Sequence, residues 1–406
     1  MKRIPFALIL LASQGYAQNF DEVFKKLKQG PAYVAQKTGV VMMNNRTSDG
    51  VEHIFAVNIP PNYDPAKRYQ VRFQLHGGVG RTTNSQPRNN GEIGPLAGPA
   101  EQIYVLPYAW RDAPWWDDDQ VLNLNAILDD LKKTYNVDEN RVVISGVSDG
   151  ATGAYYIAMR DTTPWASFLP LNGFVMVLSS PDIDDGHMFP NNLRNKPLFV
   201  VNGGNDRLYP TRRTEPLTRH FKQNGVEIDY HPEEQGEHNT AWWPEMKVPF
   251  EKFVAGHPRD PHPARLTWEA ADLKHNRAHW LVIDEFGAAL GEPRELDDLN
   301  LMKPPGSSLM SLIVNQLFEK AKGSGRVDVV RAGNTVNAAT KGVTAFTLLL
   351  SPDVFDFNQP IKVMANGNEV FNARVERSVQ TLDKWAKRDH DRTMLYAAEI
   401  NIKLLP

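Results

Sequence analysis

The chain has 406 residues, of which 41% are hydrophobic and 23% are charged, and its formal net charge at pH 7 is -3. This composition excludes a disordered chain and allows two domains with substantial cores. The small net charge offers no basic field for phosphate backbones, so nucleic acid is not expected as a partner.

The first residues have the pattern of a secretory signal peptide. Lys2 and Arg3 precede the apolar run Ile4–Ala12, and small residues lead to a predicted cleavage site after Ala17. The run is shorter than the roughly 20 residues that span a bilayer. We therefore predict a signal peptide over residues 1–17, with an N-terminal anchor or buried helix as the alternative.

Cysteine is absent from the chain. Disulfides, thiolate metal sites and a cysteine nucleophile are thereby excluded. An exported protein without disulfides suggests a bacterial product, periplasmic or secreted. We expect no cofactor, no metal and no membrane span.

From residue 18 to 258, strand and helix patterns alternate. The strand patterns are two runs in "EHIFAVNIPPNYDPAKRYQVRFQLHGG", followed by "QIYVLPYA", "NRVVISGV", "FVMVLSS", "PLFVVNGG" and "VEIDYH". The helical patterns are Phe20–Leu27, Leu122–Tyr135, Ala151–Arg160, Thr214–Asn224 and Ala241–Ala255. This alternation predicts an α/β domain with a mostly parallel sheet covered on both faces.

The pattern changes at "GHPRDPHPARLTW", where three prolines indicate a linker. Strand-like runs follow, and Asn366–Gly367 separates two of them as a two-residue hairpin turn. One helix, Ser378–Lys387, precedes the last strand. We predict a smaller, mostly β accessory domain over residues 262–406.

The stretch "VVISGVSDGATG" contains Gly146, Ser148 and Gly150 in the pattern G-x-S-x-G. A β-branched run ends at the serine, and small residues follow it. Glycines two residues before and after the serine allow a sharp strand-to-helix turn that exposes the hydroxyl. The sequence therefore predicts a nucleophile elbow at Ser148.

A serine nucleophile needs an orienting acid as well as a base. Asp206 is the preferred acid, because it follows a buried strand and a double glycine and precedes Pro210. Asp182, Asp184 and Asp185 form a rival cluster, but their stretch "SSPDIDDGH" resembles a solvated loop.

Position selects the base among 11 histidines. His220 lies inside a helical pattern and His231 at the end of a strand. His238 lies in the loop "PEEQGEHNT", between a strand and a helix, where an imidazole can reach a serine at the same sheet edge. We predict His238 as the base.

Acyl transfer also needs hydrogen-bond donors for the developing oxyanion. The loop after "VRFQL" contains His76, Gly77 and Gly78, and its glycine backbone N–H groups are candidate donors together with the N–H of Asp149. A plain glycine turn is the alternative, and His76 is expected to be structural rather than a second base.

With these residues, the first domain resembles the α/β-hydrolase superfamily. It is most similar to the secreted esterase branch with feruloyl and acetylxylan esterases and polyhydroxybutyrate-depolymerase-like proteins. The resemblance covers residues from about 50 to 256 and rests on "NIPPNYDPAKRYQVRFQLHGG", "ISGVSDGATGA", "VVNGGNDRLYP" and "GEHNTAWW". It implies Ser148 as nucleophile, His238 as general base and then acid, and Asp206 as its orienter.

Tryptophans cluster near the predicted site. Trp242 and Trp243 follow His238, and Trp110, Trp115 and Trp116 follow a strand that ends at the same predicted edge. Trp242, Trp243 and Trp110 are candidates for lining a substrate pocket. Packing of helices and loops is the favoured interpretation.

The acidic run Asp117–Asp119 has two interpretations. Three carboxylates in sequence are able to hold a hard cation. A solvated loop or a helix start is the favoured interpretation.

These observations lead to a functional hypothesis: an exported serine hydrolase cleaves small-molecule or polysaccharide-linked carboxylic esters through an acyl-enzyme. A serine peptidase of the same superfamily is the first alternative. An inactive hydrolase scaffold that acts as a binding protein is the second. The accessory domain is expected to pack against the hydrolase or mediate dimerisation, with polysaccharide binding as the alternative.

Overall fold

The computed structural model describes residues 19–404 except 49, 82, 84–93, 95, 100, 181, 185, 187 and 288–322. The predicted signal peptide, residues 1–17, lies outside the described residues. Within the described part, no helix is long and apolar enough to cross a membrane.

An eight-stranded sheet forms the centre of the N-terminal region. Its strands are β1 (Gly39–Arg46), β2 (Glu52–Ile59), β3 (Tyr69–Leu75), β4 (Ile103–Pro107), β5 (Val137–Val147), β6 (Ser167–Leu171), β7 (Leu198–Gly203) and β8 (Ile228–Glu233). They lie in the order β1-β2-β4-β3-β5-β6-β7-β8. β1 and β2, and β2 and β4, pair antiparallel, whereas every later neighbour pairs parallel. This strand order is that of the α/β-hydrolase fold, and the predicted fold class is confirmed.

Helices cover both faces of this sheet. They are α2 (Asp118–Thr134), α3 (Asp149–Arg160), α4 (Thr211–Gln223) and α5 (Trp243–Gly256). Side chains alternate between the two faces of a strand, and β5 shows the result: Val142 and Ile144 belong to the core with α2, α3 and α4, whereas Val143 belongs to the core with α5. Burial on both faces explains why the strand patterns are continuously apolar.

Two details of the predicted order differ from the structure. The predicted strand "FVMVLSS" is wrong: Val175–Ser179 is a short 3-10 helix, and the strand β6 precedes it. Asn172 ends that strand in a left-handed conformation, with φ 48°. The edge strand β1 was not predicted. Its side chains Val40 and Met42 are exposed, so it has no pattern of buried residues, and it is stabilised by backbone pairing with β2.

The C-terminal region is rich in β-strands, as predicted. Its strands are β9 (Arg265–Ala270), β10 (Arg277–Ala278), β11 (Leu281–Phe286), β12 (Gly325–Ala332), β13 (Thr335–Lys341), β14 (Val343–Leu350), β15 (Ile361–Ala365), β16 (Asn368–Ala373) and β17 (Ala398–Lys403). They form two sheets, β10-β11-β14-β17 and β16-β15-β13-β12-β9. The predicted hairpin turn joins β15 and β16, with φ 49° at Asn366 and φ 83° at Gly367. The boundary at residue 262 stays a prediction.

Two helices remain, one near the N-terminus and one in the C-terminal region. The predicted N-terminal helix is α1 (Phe20–Gln29), and α6 (Val379–Asp389) belongs to the C-terminal region. Asp21 accepts a hydrogen bond from Arg377, 2.6 Å away, just before α6 begins. An exposed ion pair thus connects α1 with the segment directly before α6.

The predicted proline-rich linker is not a free connection. Arg259, in its middle, is 3% exposed, and its side chain bonds to Asp391 at 2.7 Å. Two asparagines from the 3-10 helix before β7 bond to the backbone of β9. Each side-chain amide donates to a backbone C=O and accepts the N–H of the same residue: Asn192 pairs with Glu269, and Asn195 pairs with Thr267. These amides cap a sheet edge that would otherwise expose unpaired backbone groups. The C-terminal region is thus packed directly against the hydrolase region.

Candidate active site

The serine lies on a strained turn between β5 and α3. Ser148 has φ 57° and ψ -117°, a conformation that costs a residue with a side chain about 1–3 kcal/mol. A Cβ at Gly146 would lie 2.1 Å from the carbonyl oxygen of Gly150, and one at Gly150 would lie 2.1 Å from that of Leu75. Both glycines of the G-x-S-x-G pattern are therefore required by close backbone packing.

The structure brings Ser148, His238 and Asp206 together. His238 Nε2 lies 2.9 Å from Ser148 Oγ, and His238 Nδ1 lies 2.7 Å from Asp206 Oδ2. The other carboxylate oxygen, Asp206 Oδ1, accepts the backbone N–H groups of Leu208 at 2.7 Å and Tyr209 at 2.9 Å. The Asp206 side chain is fully buried, whereas that of His238 is 26% exposed. The arrangement suits proton transfer from the serine to an imidazole whose tautomer the carboxylate sets.

Glycines allow the acid loop and the base loop to meet. A Cβ at Gly203 would lie 2.3 Å from the carbonyl oxygen of Gly236, and one at Gly204 would lie 2.3 Å from that of Glu234. The Gly204 N–H bonds to the carbonyl of Glu233 at 2.7 Å. The double glycine before Asp206 thus brings the acid within hydrogen-bond reach of the histidine loop.

Two further residues at this site were not found from the sequence. Asn172 is fully buried, and its Nδ2 donates to the carbonyl of Asn239, directly after His238, at 2.6 Å. The ring of Tyr209 packs edge-on against His238 with 5.6 Å between ring centroids. The sequence offered one signal for Asn172: it stands beside Gly173, and asparagine tolerates the left-handed conformation that a sharp turn after a strand can require.

The predicted oxyanion residues lie beside the serine. A Cβ at Gly77 would lie 2.9 Å from Ser148 Cβ. Gly78 has φ 69°, which favours glycine. Among the described residues, the N–H groups of Gly78 and Asp149 have no hydrogen-bond acceptor. For Asp149 this is expected, because it is the first residue of α3 and the first N–H groups of a helix have no partner within it. The geometry is open to an oxyanion, and the role stays a prediction.

The rival acids and bases lie elsewhere. Asp184 is 2% exposed, so it is not in a solvated loop, and it accepts the N–H of Gly186 at 2.9 Å. Asp182 is exposed, and Asp185 lies outside the described residues. His220 lies in α4 and contacts Asn224, the residue that follows this helix.

His231 and His76 make structural contacts. His231 stacks on Phe199 with 4.5 Å between ring centroids. His76 Nε2 accepts the N–H of Ala109 at 3.1 Å, and its Nδ1 lies 3.0 Å from the carbonyl of Gly77. This pair of contacts corresponds to a neutral imidazole protonated on Nδ1.

The three tryptophans proposed to line a pocket are buried. Trp242 and Trp243 are each 6% exposed, and Trp243 packs edge-on against Phe250. Trp110 is 4% exposed and packs on His53. Buried rings present little surface to a ligand, so the structure favours the alternative of packing for these three residues.

The two neighbouring tryptophans differ in burial. Trp115 is fully buried, and its Nε1 donates to the carbonyl of His76 at 2.8 Å. Trp116 is partly buried and packs against the same core. Trp115 therefore supports the strand end that precedes the glycine loop.

The acidic run Asp117–Asp119 forms the beginning of α2. Asp117 is the N-cap, and its Oδ1 accepts the N–H of Asp119 at 2.8 Å. Asp118 accepts from Arg160 at 2.7 Å and from Tyr156 at 2.9 Å. Arg160 and His275 together hold the pKa of Asp118 well below its usual range, although burial raises it. These contacts explain the run as a cap and an ion pair.

Comparison with known proteins gives relatives among esterases and other hydrolases. No protein-family model matches the chain. A bifunctional acetylxylan esterase/xylanase of Neocallimastix patriciarum is 25% identical over 174 residues, which are 42% of this chain and 23% of the relative. The chain thus spans less than a quarter of that relative's length. The sequence resemblance to esterases is confirmed by this match.

Solved structures give more distant likenesses. A ferulic acid esterase is 18% identical, with a TM-score of 0.43, and the match covers 54% of this chain and all of that one. The acylaminoacyl peptidase of Pyrococcus horikoshii is 14% identical, with a TM-score of 0.40, over 54% of this chain and 41% of that one. We assign the fold from the strand order of this chain.

Proposed function

We propose that this protein is a serine hydrolase that cleaves carboxylic esters through an acyl-enzyme intermediate. The proposal is carried by one observation, the hydrogen-bonded line from Ser148 Oγ through His238 to the buried carboxylate of Asp206. A nucleophile, a base and an orienting acid in this order are the elements that acyl transfer requires.

In the first half of the reaction, Ser148 Oγ attacks the ester carbonyl carbon while His238 Nε2 takes the hydroxyl proton. Asp206 keeps the other ring nitrogen protonated and stabilises the imidazolium that forms. The tetrahedral oxyanion accepts hydrogen bonds from the backbone N–H groups of the glycine loop and of Asp149. Collapse breaks the bond to the alcohol oxygen, which receives the proton from His238.

In the second half, a water molecule replaces the alcohol. His238 takes a proton from the water as its oxygen attacks the acyl carbon, and then returns a proton to Ser148 Oγ as the acid leaves. No other group is needed for proton balance. The name of the curated relative suggests acetyl esters of a polysaccharide as the first natural substrates to test.

The test is hydrolysis of p-nitrophenyl acetate by the wild-type protein and its Ser148→Ala variant. We expect turnover by the wild type and a loss of about 10³-fold or more in the variant. Ser145→Ala is the matched control, because Ser145 lies in β5, three positions before Ser148, and donates to the carbonyl of Phe73 at 3.2 Å. It is expected to keep activity within about threefold, since it removes one buried hydrogen bond that involves none of Ser148, His238 and Asp206.

A fluorophosphonate probe provides a readout that does not depend on the acyl group. Labelling of the wild type and not of Ser148→Ala supports the proposed nucleophile. Failure to label the folded wild-type protein would refute it and favour the inactive scaffold. Faster release from a peptide p-nitroanilide than from the ester would instead make the protein a peptidase.

We also propose export, on the pattern of Lys2, Arg3 and the apolar run Ile4–Ala12. Expression of the full chain in a bacterium should yield a periplasmic or secreted product whose N-terminal residue is Gln18. A cytoplasmic product that retains residues 1–17 would contradict this proposal.

A further inference from the structure

The side chain of Asp149 joins the two segments that surround the nucleophile. Asp149 follows Ser148 and is the first residue of α3. Its Oδ2 accepts the backbone N–H of Val79 at 2.7 Å, across 70 positions of sequence. Val79 directly follows Gly77 and Gly78 and begins a short 3-10 helix. One carboxylate therefore links the elbow to the end of the glycine loop.

The glycine loop is held at both of its ends. At one end, Gly77 is so close to Ser148 that a Cβ would lie 2.9 Å from the serine Cβ. At the other end, Val79 has a buried side chain, 1% exposed, and its N–H bonds to the Asp149 carboxylate. Gly78, between these two contacts, has an N–H without an acceptor among the described residues. The two contacts therefore flank Gly78 on both sides.

The charge of Asp149 also acts on Tyr209. Burial, followed by the charges of Asp149 and Asp206, raises the pKa of Tyr209 to about 12. Tyr209 in turn packs against His238. The Asp149 side chain therefore lies within electrostatic reach of a residue that contacts the histidine.

We propose that Asp149 is a positioning residue whose carboxylate holds the glycine loop in the geometry that binds the oxyanion. This inference rests on the proposed function. In this role Asp149 transfers no proton, because its Oδ2 acts as the acceptor of the Val79 N–H. The N–H of Val79 is occupied by this bond, whereas the N–H groups of Gly78 and Asp149, without an acceptor among the described residues, are candidates for binding the substrate oxygen.

Two substitutions separate the hydrogen bond from the charge. Asp149→Asn keeps a carbonyl oxygen at the position of the acceptor and removes the negative charge. Asp149→Ala removes both. Because donors aimed at an oxyanion act in the transition state, loss of their position lowers kcat and leaves KM nearly unchanged.

With p-nitrophenyl acetate, we expect Asp149→Ala to lower kcat by about 100-fold and to change KM by less than about threefold. Asp149→Asn is expected to stay within about tenfold of the wild-type kcat. The affinity for phenylboronic acid, which forms a tetrahedral adduct on a reactive serine, should fall in Asp149→Ala by about the same factor as kcat.

Val79→Pro tests the same bond from the donor side. Proline lacks the N–H and is tolerated at the first position of a helix. Its effect and that of Asp149→Ala should not add in the double variant, because both remove one interaction. Asp119→Ala is the matched control: Asp119 is also an acid in the first turn of a helix, and within the described part of the chain its side chain has no hydrogen bond or ion pair with the site. It should change stability and not kcat.

The outcomes distinguish this inference from the proposed function. A wild-type kcat in Asp149→Ala, with an inactive Ser148→Ala, overturns the inference and leaves the proposed function standing. An equal loss in Asp149→Asn and Asp149→Ala also overturns it, because charge rather than the hydrogen bond would then be responsible. Full activity in Ser148→Ala would defeat the proposed function itself.

Discussion

Arg259→Ala is expected to lower the free energy of unfolding by about 3–5 kcal/mol, because it leaves a buried carboxylate without its counterion. The side chains of Arg259 and Asp391 are both fully buried and lie 2.7 Å apart. The same guanidinium donates to Asn140 Oδ1 at 2.9 and 3.1 Å and to Thr393 Oγ1 at 2.9 Å. Alanine removes all of these donors at once.

The double variant with Asp391→Asn measures how much of the loss comes from the charge. The asparagine keeps an oxygen that accepts the N–H groups of Thr393 and Met394, which Asp391 Oδ1 now binds at 2.8 and 3.1 Å. We expect this variant to recover stability, to within about 1–2 kcal/mol of the wild type. Urea denaturation followed by tryptophan fluorescence measures both values.

The pH dependence gives a second check. Burial raises the pKa of Asp391. The charges of Arg259 and then Lys132 lower it by more, so the pKa of Asp391 in the folded protein lies below its usual value. As the pH falls, the Asp391 carboxyl is protonated in the unfolded chain before it is protonated in the folded protein. The stabilisation that the ionised carboxylate gives to the folded state is therefore present above a pH of about 3.9 and is lost below it. Without Arg259, burial dominates and the folded pKa rises. The deficit of Arg259→Ala should therefore be largest at pH 7 and shrink toward pH 4.

Either of two results would refute this reasoning. A cost below about 1 kcal/mol for Arg259→Ala would mean that the pair is not desolvated as its burial indicates. A double variant as unstable as Arg259→Ala would mean that the carboxylate charge is not the cause.

Three further predictions concern the site and the junction. Gly150→Ala places a Cβ 2.1 Å from the carbonyl oxygen of Leu75, and it should lower p-nitrophenyl acetate turnover by about 100-fold because the serine is displaced. A wild-type rate would show that the backbone around Ser148 accommodates the methyl group without displacing the serine. Asn172→Ala removes the bond that holds the His238 loop and should lower kcat about tenfold at constant KM; a change in KM alone would contradict this role. Burial lowers the pKa of His262 to about 4, so the unfolded state binds more protons between pH 4 and about 6.5. Stability should fall by about 3 kcal/mol as the pH decreases through this range, and His262→Gln should flatten the curve of Tm against pH; an unchanged curve would exclude His262.

Much of the fold was predictable because its signals are local. Strands buried on both faces have to be apolar throughout, and the amphipathic helices between them repeat at 3.6 residues. The turn at Asn366–Gly367 is also local, since a two-residue hairpin needs left-handed conformations at both positions. The strand β1 escaped prediction because only its partner strand stabilises it, and "FVMVLSS" misled because an apolar run does not distinguish a strand from a buried turn.

The candidate site divides in the same way. The turn at Ser148 follows from the glycines around it, and the chain order of serine, acid and histidine narrowed the choice to Asp206 and His238. The burial of Trp242, which makes it part of the core, depends on where α5 docks, and no local pattern contains that information.

The sequence by itself determined the features that a few consecutive residues specify: the alternation of elements, the elbow and the hairpin. Only the tertiary structure decided which distant groups meet. The contact of Asp149 with Val79 spans 70 positions, and that of Arg259 with Asp391 spans 132. The physical reason is that a hydrogen bond or ion pair depends on distances set by the packing of whole strands and helices, whereas a turn depends on the backbone conformations of its own residues.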